Sequence, residues 1–441
     1  MCTYIFIVMN KMIQFSKISY INMKDFFYIL KTLYDSVFIK KLHAIFIFCL
    51  LATCFISIAS EKKNAPDNEV TILKALNNEV NPSKDALLFS KIEFIPLETK
   101  SECLISDIIC IQYREPFFFI LDRRNKLFVF EKNGRFKAQI GSEGQGPQEY
   151  IKISSFFIDV AKQYVVITDD YKNVLLSYDF NGNFKQKTDM PSNLIRLVDK
   201  STLLKNNRLI FNYGVFINEL SYNNGNMAYR LIDTENMKVL DEKSYNPIRP
   251  TTHTMYPLST HPITETDKGA NFIMPICDTI FSCNNEKFIP EYVIEHKQKM
   301  VPKDKYILDE GPYESLAIKF EKNGYFSGFN GIYETDNHIL LTYFCSYFNA
   351  CFLANKKKQE GRYLLLGEMD ENSKNMPLFR EIFSCDKKSF VCAVNMYTAA
   401  HYKNVLKKNR NEGLKQFKNI IESLEEDDNP VLIIYTLNES Y

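Results

Sequence analysis

Apolar residues along this chain fall in short runs separated by polar turns, a strand-like rhythm rather than the spacing of amphipathic helices. The pattern repeats. The stretch FILDRRNKLFVFEKNGRF from Phe119 aligns without a gap on ITDDYKNVLLSYDFNGNF from Ile167, at an offset of 48 residues. Asp122 falls on Asp170, Asn125 on Asn173, Leu127 on Leu175, Phe130 on Tyr178, Asn133-Gly134 on Asn181-Gly182 and Phe136 on Phe184. Each copy predicts an apolar strand, a polar turn, a second strand, an Asn-Gly turn and a third strand, since Asn-Gly accepts the positive φ values of tight hairpins. A repeat of this length built from short strands is the signature of a propeller blade.

Weaker copies follow. Arg208–Tyr213, Ala228–Ile232 and Lys238–Glu242 predict strands of a third unit. Three strands are expected in the run from Asn271, with turns at Cys277-Asp278 and Asn284-Asn285, and three more in the run from His338. Phe379–Phe383 and Val431–Thr436 are the last clear strand signals. Six units result: Leu104–Ser142, Tyr150–Thr188, Asn193–Lys243, Thr252–His296, Asn330–Gly367 and a C-terminal unit. Two insertions, Lys297–Gly328 and Thr398–Glu426, carry helical signals, near Tyr313–Lys322 and at Leu414, Phe417, Ile420, Ile421 and Leu424. The strand Ile92–Leu97 stands ahead of the first unit and Val431–Tyr435 closes the last. Pairing them in one sheet would join the ends of the ring and remove two open edges. The expected fold class is therefore all-β, a six-bladed β-propeller closed by its N-terminal and C-terminal strands, with small helical insertions.

The first sixty residues break this pattern. From Leu42 to Ser60 no Asp, Glu, Lys or Arg occurs, and Lys40-Lys41 precede the run. A basic segment, an apolar run and small residues are the parts of an export signal. Three outcomes stay open: cleavage before Ser60, an uncleaved membrane anchor, or lipidation of Cys54. Leu51-Ala52-Thr53-Cys54 resembles a bacterial lipoprotein box, with Thr53 where a smaller residue is usual. The domain reading is an export segment over 1–60, a polar tether with one short helix over 61–89, and the propeller over 90–441.

Composition narrows the function classes. Lys and Arg number 54 against 53 Asp and Glu, a net charge of +1, so a globally basic nucleic-acid binder is excluded. Of the eleven Cys, none has the spacing of a zinc knuckle or redox pair. Buried thiols acting as small apolar side chains are the expectation for most, with Cys345 and Cys351 able to face one another across a hairpin. The six His show no helical ligand spacing; His253 and His261, with Glu265 and Asp267 near, form the one weak metal candidate. No Gly-x-Ser-x-Gly nucleophile elbow occurs. No catalytic residue, cofactor or metal is expected.

With these pieces in place, the chain resembles the six-bladed β-propeller proteins exported by Bacteroidetes-type bacteria, themselves similar to NHL-repeat propellers. Phe94-Ile95-Pro96-Leu97-Glu98-Thr99, the LDRRNKLFVFEKNG core, Gly144-Gln145-Gly146-Pro147-Gln148-Glu149-Tyr150, Asp278-Thr279-Ile280-Phe281 and Asp428-Asn429-Pro430-Val431 carry the resemblance, over about residues 92–438. It implies the fold and the compartment, and no catalytic role.

In a propeller the turns between second and third strands share one face with the links between blades. Asp122, Arg123, Arg124, Asp170, Tyr171 and Asp278 sit in or beside such turns, and Tyr150 ends a link. Carboxylates supply acceptors, Arg123 and Arg124 supply donors suited to carboxylate, sulfate or phosphate, and Tyr150 and Tyr171 could stack on a sugar or peptide. The competing role for each Asp is to cap its own turn. Gly144–Pro147 reads as a blade linker in preference to an anion cradle. The expected function is a non-enzymatic, monomeric binding or scaffold propeller of the periplasm or cell surface. Its partner would be an envelope protein, a peptide or a glycan, and membrane contact would come only through an N-terminal anchor. The alternatives are a carbohydrate-binding accessory protein and a metal-dependent propeller hydrolase or lyase.

Overall fold

A computed structural model describes residues 70–441 apart from 85–87, 214–226, 245–260, 275, 285, 303–319, 346–347, 380 and 440–441. Two strands, β1 (Thr71–Val80) and β2 (Phe89–Pro96), precede a series of antiparallel meanders. The first is β3 (Ile108–Arg114), β4 (Phe117–Asp122), β5 (Leu127–Glu131) and β6 (Phe136–Gln139). The second is β7 (Ser155–Asp159), β8 (Tyr164–Asp169), β9 (Val174–Asp179) and β10 (Phe184–Asp189). After the short helix α1 (Ser192–Ile195) come β11 (Val198–Leu204), β12 (Arg208–Tyr213), β13 (Met227–Asp233) and β14 (Lys238–Ser244). Then follow β15 (Ile263–Thr266), β16 (Gly269–Ile273), β17 (Thr279–Cys283) and β18 (Phe288–Glu295). The pair β19 (Lys299–Met300) and β20 (Tyr325–Phe326) brackets an insertion before β21 (Gly331–Glu334), β22 (His338–Cys345), β23 (Phe348–Asn355) and β24 (Glu360–Leu364). The last sheet takes β25 (Ile382–Cys385), β26 (Ser389–Val394), β27 (Val431–Leu437) and, as its outer strand, β2.

The meanders stack face to face, and the apolar runs of the sequence follow from that. Middle strands are covered on both sides, so Leu127–Phe130 and Val174–Tyr178 are buried without a break. Alternation decides which neighbour each side chain meets. On β4, Phe119 and Leu121 join Phe156, Ile158 and Val165 of the second sheet, whereas Phe118 and Ile120 join Val391, Leu432 and Ile434 of the last. The first and last sheets thus share a core, as every consecutive pair does.

The expected closure is present. Strand β2 pairs antiparallel with β27, Ile92 opposite Tyr435 and Phe94 opposite Ile433. Two of the motifs singled out above form a clasp beside it. Asn429 is buried; its side chain accepts from Ile105 N at 2.8 Å and donates to Glu98 O at 2.7 Å and Cys103 O at 2.9 Å. Thr99 Oγ1 accepts from Asn429 N at 3.0 Å and donates to Asp428 at 3.1 Å. Glu98 Oε2 accepts from Phe136 N at 2.8 Å, tying the clasp to β6.

The Asn-Gly turns differ from the expectation in one respect. Only the glycines have positive φ, 86° at Gly134 and 84° at Gly182, and a register shift marks a bulge beside each turn. A Cβ on Gly134 would lie 2.1 Å from Pro96 O, so this turn is pressed against β2.

Two further expectations are corrected. The stretch 61–89 contains no helix among its described residues; it holds β1, which runs parallel to both β18 and β24 and joins two meanders into one nine-stranded sheet. Only Leu73 and Val80 of β1 are fully buried, and so polar a segment read as a tether. In the β22–β23 hairpin Cys351 faces Thr342 and Cys345 faces Phe348, so the two cysteines are out of register. Seven cysteines are free thiols, among them Cys103, Cys283, Cys351 and Cys392 fully buried.

The second insertion is helical as expected: α2 (Met396–Lys408), a 3-10 turn and α3 (Lys415–Ser423). Asn395 caps α2 by accepting from Thr398 N at 2.9 Å. Leu414, Phe417 and Ile421 pack with Tyr402 and Leu406 over the closing sheet, and Phe417 stacks on Phe94. Most of the helix expected near Tyr313–Lys322 lies outside the described residues, as do the export segment and Cys54.

Removing the Asn429 side chain breaks three hydrogen bonds and leaves Ile105 N and Cys103 O without that partner, while Glu98 O keeps the Cys103 thiol. Asn429→Ala is expected to lower unfolding free energy by about 3 kcal/mol. Gly134→Ala, strained and clashing, should cost more than Gly324→Ala, which shares a positive φ of 77° but has open space around it. Urea unfolding of the three variants, followed by circular dichroism, checks both statements.

Candidate functional site

The first strand of each meander faces a common axis. Gln112 Nε2 on β3 donates to Phe156 O on β7 at 2.8 Å, and Ser155 on β7 shares a hydrogen bond with Ser201 on β11 at 2.8 Å. Strand β11 lies against β15. Thr264 on β15 accepts from Glu334 N on β21 at 3.2 Å. Cys385 Sγ on β25 donates to Glu334 O at 3.5 Å, and Ser384 on β25 accepts from Tyr113 N on β3 at 3.1 Å. The circuit encloses a cavity of about 1730 Å³.

Its wall is polar because inner strands are packed on one side only. Hydroxyls of Ser155, Ser201, Thr202, Thr264 and Ser384 line it, with the thiols of Cys110 and Cys385 between them. Burial pushes the Cys385 thiol up to about 11 and also raises Cys110, so both stay protonated at neutral pH. The amide oxygen of Gln112 is buried and has no protein partner.

Charge is distributed unevenly between the two mouths. At the end where inner strands finish, cations and anions pair: Lys132 with Glu115 at 2.7 Å, Lys387 with Asp267 at 2.6 Å and Arg114 with Glu265 at 2.5 Å. Deeper in the wall, Glu334 accepts from Lys356 at 2.7 Å and Asn271 at 2.6 Å, while burial holds its carboxyl above the usual range. His261 stacks on Tyr333, ring centres 4.5 Å apart. Burial, with Lys200 and Arg114 near, lowers its pKa to about 3, so it is neutral at physiological pH.

The opposite mouth, where inner strands begin, is the face singled out by the sequence. Most of its acids are committed to the backbone. Asp122 is fully buried and accepts from Ser106 N, Ser106 Oγ and Lys126 N. Arg124 bonds Asp122 and Leu104 O, and Arg123 pairs with Asp107 at 3.0 Å. Asp170 accepts from Ser154 Oγ, and from Leu197 N at 3.2 Å. Asp278 accepts from Thr279 Oγ1 at 3.1 Å. Tyr150 is buried, its hydroxyl donating to Asn125 O at 3.0 Å, so its ring cannot receive a ligand. Of the seven candidates only Asp170 and Tyr171 reach the cavity. The Gly144–Tyr150 link turns carbonyls inward, where Lys172 Nζ donates to Gly144 O, Gly146 O and Glu149 O; it is a linker and no anion cradle.

Sequence reasoning missed Lys152, Arg196 and Lys200, which line this half of the cavity. They stand in links or on a short inner strand and belong to no motif. Among the described residues no three His, Cys, Asp or Glu side chains converge to hold a metal; His253 lies outside them.

This arrangement, short antiparallel meanders around an open axis with the chain ends paired, defines a β-propeller-like fold with an axial cavity. The chain belongs to the DUF4934 family, a domain of unknown function, which it matches over residues 67–436. Among solved structures it is similar to a candidate exported protein from Bacteroides fragilis NCTC 9343, at 18% identity and a TM-score of 0.64, covering 83% of this chain and all of that one. It is also similar to a member of the DUF4221 family from Bacteroides vulgatus ATCC 8482, at 10% identity and a TM-score of 0.42, covering 81% of this chain and 99% of that one. No curated protein matches it. Among the described residues no helix is long and apolar enough to cross a membrane.

Buried histidines set an acid limit. His338 is buried on β22, and burial lowers its pKa to about 4 from the ordinary 6.5. A depressed folded-state value contributes stability above pH 6.5 that is lost as pH falls toward 4. Stability should therefore drop between pH 7 and pH 5 by about 2 kcal/mol for this residue. In His338→Gln that difference should shrink by the same amount, measured by urea unfolding at the two pH values.

Proposed function

We propose that this chain is a six-bladed, NHL-like β-propeller exported to the bacterial envelope, where it holds a ligand in its axial cavity without transforming it. The observation that carries the reading is the enclosed, hydroxyl-lined space bounded by the first strand of every meander. Its size exceeds that of an ordinary small-molecule pocket, about 300–1,000 Å³. At the mouth where the inner strands finish, Arg114, Lys132 and Lys387 are tied to acids, and deeper in the wall His261 is neutral and Glu334 is held by Lys356, a pattern suited to recognition. Export is supported by the charge-free run Leu42–Ser60 behind Lys40-Lys41 and by the likeness to the Bacteroides fragilis protein. Lipidation at Cys54 and a monomeric state belong to the same proposal. A carbohydrate ligand is the second reading, favoured by Tyr171, 63% exposed at one mouth above a wall of hydroxyls.

Gln112→Trp fills the cavity from β3. Thermal-shift screening of glycans, short peptides and organic acids should give ligands that raise the melting temperature of the natural chain and leave this variant unmoved. Ligands that stabilise both equally, or turnover of any of them, would overturn the reading.

A further inference from the structure

We infer that the mouth where the inner strands begin is an anion site, and that the ligand of the axial cavity carries a carboxylate beside an apolar or ring-shaped body. The inference rests on the reading of the cavity as a ligand site and adds the ligand's chemistry.

The argument begins with how charges are spent. On this face the turn carboxylates are consumed by backbone N–H groups, as the sequence pattern demands of Asp at such positions. Besides Asp122 and Asp170, Asp169 accepts from Ile151 N at 2.7 Å, Tyr171 N at 3.0 Å and Lys172 N at 3.1 Å. Of the cations on this face, Arg123, Arg124 and Lys172 are likewise taken up by acids or carbonyls, and three others are not. Lys152, Arg196 and Lys200 line the cavity, and none has an ion pair or side-chain hydrogen bond among the described residues. Asp199, next to Lys200, is the one cavity-lining acid here not bonded to a turn or link. Two cations are left over at this mouth once Asp199 is set against Lys200, whereas at the other mouth Arg114, Lys132 and Lys387 have carboxylate partners and Lys268 and Lys388 are matched in number by Asp336 and Asp386.

Apolar surface lies among these cations. Tyr171 is 63% exposed and Ile109 46% exposed, both on the cavity wall. Lys152 Nζ sits 5.7 Å from the centre of the Tyr171 ring. An ammonium over an aromatic face draws an anion toward the ring and leaves the ring edge for the ligand body. Arg196 presents a fork that fits a carboxylate through two parallel bonds. A cation would meet repulsion from all three basic groups, and a neutral sugar would leave them unpaired.

Calorimetric titration of the full chain at low salt tests this. The probes are digalacturonic acid and N-benzoylglycine, each beside its neutral form, the dimethyl ester and the primary amide. At least one acid should bind, and its neutral form at least about tenfold more weakly. Lys152→Gln/Arg196→Gln should weaken the acid about tenfold, and Lys268→Gln at the other mouth should leave it unchanged. Binding of the sugar acid alone marks a polyhydroxylated ligand, and of the benzoyl acid alone an acylated amino acid; both support the anion site. Equal binding of acid and neutral form, an equal loss in Lys268→Gln, or no acid binding up to about 1 mM overturns it. The acid–neutral comparison on the natural chain stands even if the double variant fails to fold. Probes of either charge that bind equally and are blocked by Gln112→Trp would sink the anion site and keep the cavity reading; binding untouched by Gln112→Trp would sink both.

Discussion

The pairing of β2 with β27 is the constraint on which the rest depends. Each meander here is a sheet with two faces to cover, and only a ring gives every face a neighbour. Without closure, Phe118, Ile120, Phe128 and Phe130 on one side and Val391, Leu432 and Ile434 on the other would face water. Burying an aromatic or branched side chain contributes about 1.5–3 kcal/mol, so an open ring forfeits far more than the hydrogen bonds of one strand pair. The Asn429 clasp locks the link between first and last sheets at a corner where it satisfies three backbone groups at once. The axial cavity follows from closure as well, since the inner strands can surround an axis only when the first and last are adjacent.

Much of this was legible in the residues. The second and third strands of the first two meanders stood out because they are apolar on both faces, and the fourth followed from the Asn-Gly turns, which need a left-handed glycine. The closing strand pair could be anticipated from Ile92–Leu97 and Val431–Tyr435, the strands standing at the two ends of the repeat series. Inner strands were far harder to see. Strands β11, β15 and β21 show little of a strand's signature, because one side of each lines the cavity and carries Lys200, Ser201, Thr264 or Glu334. The property that makes them useful for binding is the one that hides them. Strand β25 was expected at Phe379–Phe383 and lies at Ile382–Cys385 for the same reason, while β26, buried along its whole length just ahead of the helical insertion, was not expected.

The candidate site shows the same asymmetry. Aspartates in turns are conspicuous, and Asp122 and Asp170 serve their own loops. Arg124 and Tyr150 look like ligand-binding groups, yet one is drawn to a carbonyl and a buried acid and the other to a backbone oxygen. The residues that reach the cavity without a salt bridge, Lys152, Arg196 and Lys200, belong to no sequence motif. What sets Lys152 and Arg196 apart is the lack of a counter-charge, which depends on where distant segments come to rest.

Strand β1 has a consequence for the order in which the molecule is assembled. A ribosome delivers β1 and β2 before any other part of the ring, yet β1 waits for β18 and then β24, and β2 waits for the last strand of all. The earliest segments made are among the last to be satisfied. Long-range pairings of this kind are slow to form, and until these three form, six strand edges stand open to any passing chain. A sparsely apolar β1 suits that delay: it can remain in water without collapsing on itself, and it seals two edges in a single step once both have been synthesised.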